Sequence, residues 1–227
     1  MSKQILKFFL LLVIPSINFA ATIKENIKIK YDTEEPVKPT DVKPQEALRR
    51  LKEGNIQYQR GGRICMEFDR NRGGAQSPFA AVVSCADSRV TPEAIFYVQS
   101  GQLFVTRVAG NVTNAELIGS LQFAALAFRT PLIVVLGHEN CGAVDAALAN
   151  KPQPGDIQSV INAIRPAVAS INPTNPNAKQ QAIAANVRNQ VNKLRNNPLL
   201  KELIQEGRLL IVGGVYNFGN GAVTWIE

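Results

Sequence analysis

The chain has 227 residues, 45% of them hydrophobic, which suits one domain with extensions and a sizeable core. Its formal net charge is +7, but the 25 Lys and Arg are scattered. There is no basic-aromatic stripe or helix-turn-helix pattern, which sets nucleic acid aside as a partner, and no Gly-x-Gly-x-x-Gly or Walker loop to support a nucleotide site.

In chain order, residues 1–20 read as a secretory signal. Lys3 and Lys7 form its positive start, and Phe8 to Ile14 is an apolar run too short to span a bilayer by itself. Cleavage falls at Ala20 or Ala21, which predicts a secreted or periplasmic protein without stable membrane insertion after cleavage. An uncleaved anchor is the other reading. Residues 21–44 are polar, with Pro36, Pro39 and Pro44, and predict an extended N-terminal arm. The rest of the chain, 45–227, forms a single domain.

Ala47, Leu48, Leu51 and Ile56 recur at helical spacing and predict an amphipathic helix over 44–59. Residues 60–78 form a loop bearing Gly, Arg and Cys65. Four short apolar runs follow, Phe79–Ser84, Leu103–Val108, Leu132–Leu136 and Leu209–Val215, each bounded by turn residues. Thr91-Pro92-Glu93 has the form of a helix start, and Asn114 to Phe128 carries an apolar helical face. Residues 157–206 are helical with interruptions at Pro166, Pro173, Pro176 and Pro198. Val223–Ile226 predicts a last edge strand. The fold class is therefore α/β: a mainly parallel central sheet of about four strands plus an edge strand, flanked by helices.

The chemistry concentrates after two of the strands. Cys85-Ala86-Asp87-Ser88-Arg89 follows the first, and His138-Glu139-Asn140-Cys141 follows the third. Functional loops gather at the carboxyl ends of strands in such sheets, so adjacent strands would unite the two motifs. Two thiolates and one imidazole fill three corners of a tetrahedral zinc site and leave the fourth open, the ligand count of a catalytic zinc. Zinc so held carries about zero net charge, so it acidifies water less than a three-histidine site does. Asp87 can accept a hydrogen bond at the open corner, and Arg89 can keep Asp87 ionised and off the metal. Were that pair to break, Asp87 could become the fourth ligand. A Cys85–Cys141 disulfide is the competing reading for an exported chain.

Cys-x-Asp-x-Arg after one strand and His-x-x-Cys after a later one resemble the β-class carbonic anhydrases, in their plant-type form. The likeness runs from about Glu46 to the C-terminus. It includes Ala47–Gly61 as an opening helix and Leu103–Asn111 as the second strand and its loop. The resemblance implies zinc-dependent reversible hydration of carbon dioxide to bicarbonate and a proton, with zinc-bound hydroxide as nucleophile. It implies one zinc per chain on Cys85, His138 and Cys141, with Asp87 and Arg89 as the catalytic dyad. Gln76 matches a glutamine that donates to substrate oxygen. Phe104 and Phe123 fall where the family lines an apolar pocket, and Phe123 replaces a tyrosine common in plant-type members. Gly110, Asn111 and Gly142 fall beside the cleft. One subclass has a bicarbonate-inhibition site that uses a tryptophan three residues before the first cysteine. Val82 stands there instead, although Arg107 matches that site's arginine, so the resemblance implies a normally open site. It also implies a homodimer or higher even oligomer in which the arm wraps the partner.

The alternatives are a non-catalytic zinc domain with Asp87 as permanent fourth ligand, a carbon disulfide or carbonyl sulfide hydrolase on the same scaffold, and a disulfide-stapled binding protein. No second histidine exists to serve as proton shuttle.

Overall fold

The computed structural model describes residues 40–62 and 75–226. The signal segment, nearly all of the arm, and Cys65 lie outside the described residues. The domain opens with helix α1, Pro44–Gln59, where proline occupies the first turn and Ala47, Leu51 and Asn55 form the buried stripe. Strand β1, Ala80–Ser84, and the short helix α2, Pro92–Ile95, come next. Strand β2, Leu103–Arg107, leads through a 3-10 turn, Ala109–Asn111, into helix α3, Ala115–Ala127. Strand β3, Leu132–His138, is followed by α4, Gly142–Ala149, α5, Ile157–Val168, α6, Ala178–Arg195, and α7, Pro198–Gln205. Strands β4, Leu210–Tyr216, and β5, Val223–Ile226, close the chain.

The five strands form one sheet in the order β2-β1-β3-β4-β5. The first four run parallel, and β5 pairs antiparallel with β4 at the edge. Every residue of β1 and β3 is buried, as expected of strands covered on both faces. Alternation sorts their side chains. Ala80, Val82, Val134 and Leu136 face α1 with Leu51 and Phe96, while Ala81, Val83, Ile133 and Val135 face Leu121, Val187, Val191 and Leu200.

The chain passes from β1 outward to β2, then returns to the other side of β1 to form β3. The carboxyl ends of β1 and β3 thus mark the topological switch point, where open α/β sheets form their crevice. A third apolar cluster, which includes Val112, Val144, Ile161, Ile164 and Ile183, closes beneath that crevice and contains Cys85 and Cys141.

The predicted sheet agrees with this one, strand for strand, with ends shifted by one or two residues. Four details differ. The third strand runs two residues further, so His138 is its last residue rather than part of the following loop. Thr91 precedes only one turn of helix, and its side chain makes no capping bond, whereas Asn114 does cap α3 by accepting from Leu117 N at 2.9 Å. Pro166 lies inside α5 without ending it; a proline near a helix's last turn removes only one backbone bond. Pro198 occupies the first turn of α7 and starts that helix rather than interrupting one.

Asn55 fastens the opening helix to the far end of the chain. Its Nδ2 donates to Ile95 O and Gly221 O, and its Oδ1 accepts from Val223 N at 2.9 Å. Among the described residues no helix is long and apolar enough to cross a membrane.

Candidate metal centre

Cys85 is the first residue after β1, His138 the last of β3, and Cys141 the residue that opens α4. Because β1 and β3 are paired, with Ser84 beside Leu136, the register brings the first two to within one residue of the same height. The two sulfurs and a ring nitrogen of His138 all lie within 4.8 Å of one another, and all three residues are buried. Both cysteines are free thiols, not a disulfide.

The imidazole is oriented by its own backbone. His138 Nδ1 lies 2.8 Å from Glu139 O, and since a carbonyl only accepts, Nδ1 is the donor. That leaves the Nε2 lone pair facing the thiols. Nε2 is buried and has no partner that meets hydrogen-bond geometry. A buried nitrogen left bare beside two thiols is costly unless something else binds it.

The thiols share their charge unequally. The Cys141 thiol beside it lowers the pKa of Cys85, and the Gly110 N–H helps by donating to Cys85 Sγ at 3.3 Å. Cys85 in turn raises Cys141, as burial does. Burial opposes charging of His138, but the Cys85 sulfur, the hydrogen bond to the Glu139 carbonyl and the Asp87 carboxylate together outweigh it, and the net shift is upward. Three groups that compete for protons in a dry pocket are well suited to a cation. Tetrahedral zinc needs such ligand atoms about 3.3–3.8 Å apart, within a small side-chain adjustment of this arrangement. Donor set, spacing and the bare nitrogen all fit zinc.

Asp87 and Arg89 form a bidentate pair at the mouth of this cluster. Arg89 Nε donates to Asp87 Oδ1 at 2.9 Å and Nη2 to Oδ2 at 2.7 Å, and the Arg89 backbone N–H also reaches Oδ1. The guanidinium holds the Asp87 carboxyl far below the usual carboxylate range. Asp87 Oδ2 lies 3.9 Å from His138 Nε2. Arg107 braces the loop from below, with Nε donating to Cys85 O and Nη2 to Asp87 O. Val82, three residues before Cys85, is buried in the core.

Gly110 and Asn111 lie where the sequence suggested, in the turn beside the thiols. Both are buried, and both take positive φ, 68° and 47°. Asn186 of α6 holds this turn by donating to Gly110 O at 2.8 Å, and Gln190 accepts from Thr113. Gly142 is the first residue of α4, next to Cys141.

Gln76, Phe104 and Phe123 are not brought to the cluster by this chain. Gln76 is exposed and precedes β1, at the strand end opposite Cys85. Phe104 and Phe123 both pack on Phe128, at centroid separations of 6.0 and 5.2 Å, on the α3 face of the sheet.

Sequence reasoning missed a second layer. The Glu139 carboxylate accepts from Asn217 Nδ2 at 2.6 Å and from Phe218 N at 3.0 Å, tying the β4–β5 turn to the residue after His138. Glu139 lies inside the His-x-x-Cys motif, a signal that could have drawn notice. Phe218 is some eighty residues away and carried none.

The carbonic anhydrase family model matches residues 80–223. Carbonic anhydrase 2 of Mycobacterium tuberculosis is 35% identical over 187 residues, covering 78% of this chain and 90% of that protein. The carbonic anhydrase of Mycolicibacterium smegmatis is 30% identical, covering 79% and 92%. Among solved structures, the β-carbonic anhydrase CcaA superposes with a TM-score of 0.62 at 26% identity, covering 81% of this chain and 93% of that one. One of two tetrameric β-carbonic anhydrases from Sordaria macrospora gives 0.60 at 23% identity, covering 76% and 85%, a likeness of fold. A Cys-His-Cys cluster at the switch point of a parallel sheet, matched in sequence and in fold along most of its length, makes this chain a member of the β-carbonic anhydrase family.

Proposed function

We propose that the chain catalyses the zinc-dependent, reversible hydration of carbon dioxide to bicarbonate and a proton. The observation that carries this reading is the Cys85–His138–Cys141 cluster with the ionised Asp87 carboxylate at its mouth. Cys85, His138 and Cys141 would hold one zinc per chain. What zinc supplies when bound is activation of water as a nucleophile near neutral pH.

The other steps belong to side chains. Asp87, kept anionic by Arg89, can only accept a hydrogen bond. Oδ2 therefore holds a proton of the attacking water and aims its lone pair at the substrate carbon. Arg89 does a second job by occupying Asp87, so that the carboxylate does not fill the open corner itself. Gly110 N–H and Asn111 shape the dry wall beside the sulfurs, and Gly142 leaves room at the start of α4, where an added Cβ would meet nothing within 4 Å.

Gln76, Phe104 and Phe123 complete the proposed substrate site only if a second copy supplies them. This reading rests on the family likeness and on their distance from the cluster within one chain. It makes the working unit a homodimer or higher even oligomer. Export to the periplasm or exterior is proposed from residues 1–20, and N-terminal sequencing of the protein from a periplasmic extract tests it.

The first experiment is stopped-flow hydration of carbon dioxide with zinc measured on the same sample. Fast turnover at one zinc per chain, abolished by chelation, is the expected result. Full zinc without turnover, even at alkaline pH, would instead favour a closed zinc scaffold.

A further inference from the structure

Arg89 has a weakness that its role does not tolerate. Its side chain is 56% exposed, and exposed ion pairs hold their geometry poorly because water and rotamer freedom compete with them. The bidentate bond to Asp87 is therefore an unreliable latch by itself. The second contact on the guanidinium is aromatic: Arg89 Cζ lies 4.3 Å from the centre of the Phe218 ring. That is well inside the range of a cation–π interaction.

Phe218 is itself fixed from several sides. Its N–H donates to Glu139 Oε2, its ring meets His138 edge-on at 5.5 Å, and it meets Tyr216 at 5.2 Å. Asn217 stiffens the same turn by donating to Glu139 and by accepting from Gly219 N and Asn220 N. One ring thus touches a metal-ligating imidazole and the arginine that restrains Asp87. The carboxylate holding that ring follows the imidazole directly in sequence.

We propose that Phe218, held by Glu139, is a positioning residue that fixes the Arg89 guanidinium against Asp87 and so keeps the fourth metal position available to water. The inference rests on the functional reading above. With the ring removed, Arg89 samples solvent, and Asp87 spends more time free to turn the short distance to the metal.

The test compares the zinc-loaded protein with Phe218→Leu, which keeps apolar bulk without a π face, and Phe218→Tyr, which keeps the face. Two quantities are read: carbon dioxide hydration, and solvent exchange of the Arg89 Nε–H by NMR. Phe218→Leu should speed that exchange and lower the turnover number by about two- to fivefold, the range expected from an exposed cation–π contact. KM should change little, zinc content should hold, and Phe218→Tyr should restore both readings. Unchanged exchange and rate in Phe218→Leu would overturn the proposal and leave the ring as packing for His138. Loss of rate that Phe218→Tyr does not restore would overturn it as well. Should the unsubstituted protein lack hydration altogether, the functional reading fails, and the Arg89 exchange still decides whether the ring holds the guanidinium.

Discussion

Asp87 Oδ2 stands 3.9 Å from His138 Nε2, close enough to reach a metal were one held by the Cys85–His138–Cys141 cluster, yet both of its oxygens are taken by Arg89. The carboxylate is thus beside the ligand set without belonging to it. Asp87→Ala should retain zinc and lose about 10- to 100-fold in rate, the usual cost of removing a group that orients a metal site. Arg89→Ala should also retain zinc and lose rate, because it frees Asp87 to coordinate. Zinc loss in Asp87→Ala, measured by elemental analysis, would mean that Asp87 is a ligand first.

Cys85→Ser, His138→Ala and Cys141→Ser should each lose zinc and activity together. The three ligand atoms are buried within one small cluster, and removing any one leaves only two protein donors. Zinc content after dialysis, alongside hydration rate, checks this. Full zinc in any of the three would remove that residue from the ligand set.

The rate should rise between pH 7 and 8.5. Two thiolates leave a bound zinc with little net charge, so it activates water at a more alkaline pH than an all-histidine site does. Asp87 contributes nothing to that limb, since Arg89 holds its carboxyl far below this window. A stopped-flow pH series decides, and a rate that falls over the interval would contradict the assignment.

Much of this was legible in the sequence because parallel strands advertise themselves. Unbroken apolar runs such as Phe79–Val83 cannot be mistaken for half-exposed strands, and cysteine and histidine placed just after them point to the crevice. What stayed hidden depends on partners far along the chain. Phe218 meets Arg89 only because the β4–β5 turn folds over the switch point, and nothing local marks that phenylalanine among the nine others. Pro166 misled for the opposite reason: its local signal is a break, but the buried flank of Ile161, Ile164 and Val168 holds the helix together through it. Gln76 and Phe104 matched a family pattern that a single chain does not assemble.

Acid should weaken the opening helix at a defined point. Hydrogen bonds from Arg49 and then Arg50 hold the Glu46 carboxyl at about 2, down from 4.5. The folded form therefore releases its proton more readily than the unfolded chain. The stabilisation is complete above about pH 4.5 and is lost as pH falls toward 2. Glu46→Gln should lower the melting temperature slightly at pH 7, less so at high salt because the group is exposed, and by only a small remainder at pH 2, where the folded-state carboxyl is about half protonated. An equal deficit at both pH values would show that the loss is not ionic.

Gly110 has two independent reasons to be glycine, and they can be separated. Its φ of 68° lies in the left-handed region, and a Cβ there would stand 2.6 Å from Ile164 Cδ1 and 3.2 Å from Ala143 Cβ. The backbone cost of alanine in that region is about 1 kcal/mol. Crowding adds about 1 kcal/mol or more, at the low end of overpacking because Cδ1 is the tip of a flexible side chain. Gly110→Ala should therefore lose about 2 kcal/mol in urea unfolding. The Gly110 N–H to Cys85 Sγ bond should loosen at the same time and lower zinc affinity. Ile164→Val removes the crowded methyl. In the double variant the packing part of the loss should return while the backbone part remains, a coupling that the mutant cycle reads directly. If Ile164→Val recovers nothing, the cost of alanine at 110 does not come from the Ile164 methyl and lies in the backbone or against Ala143.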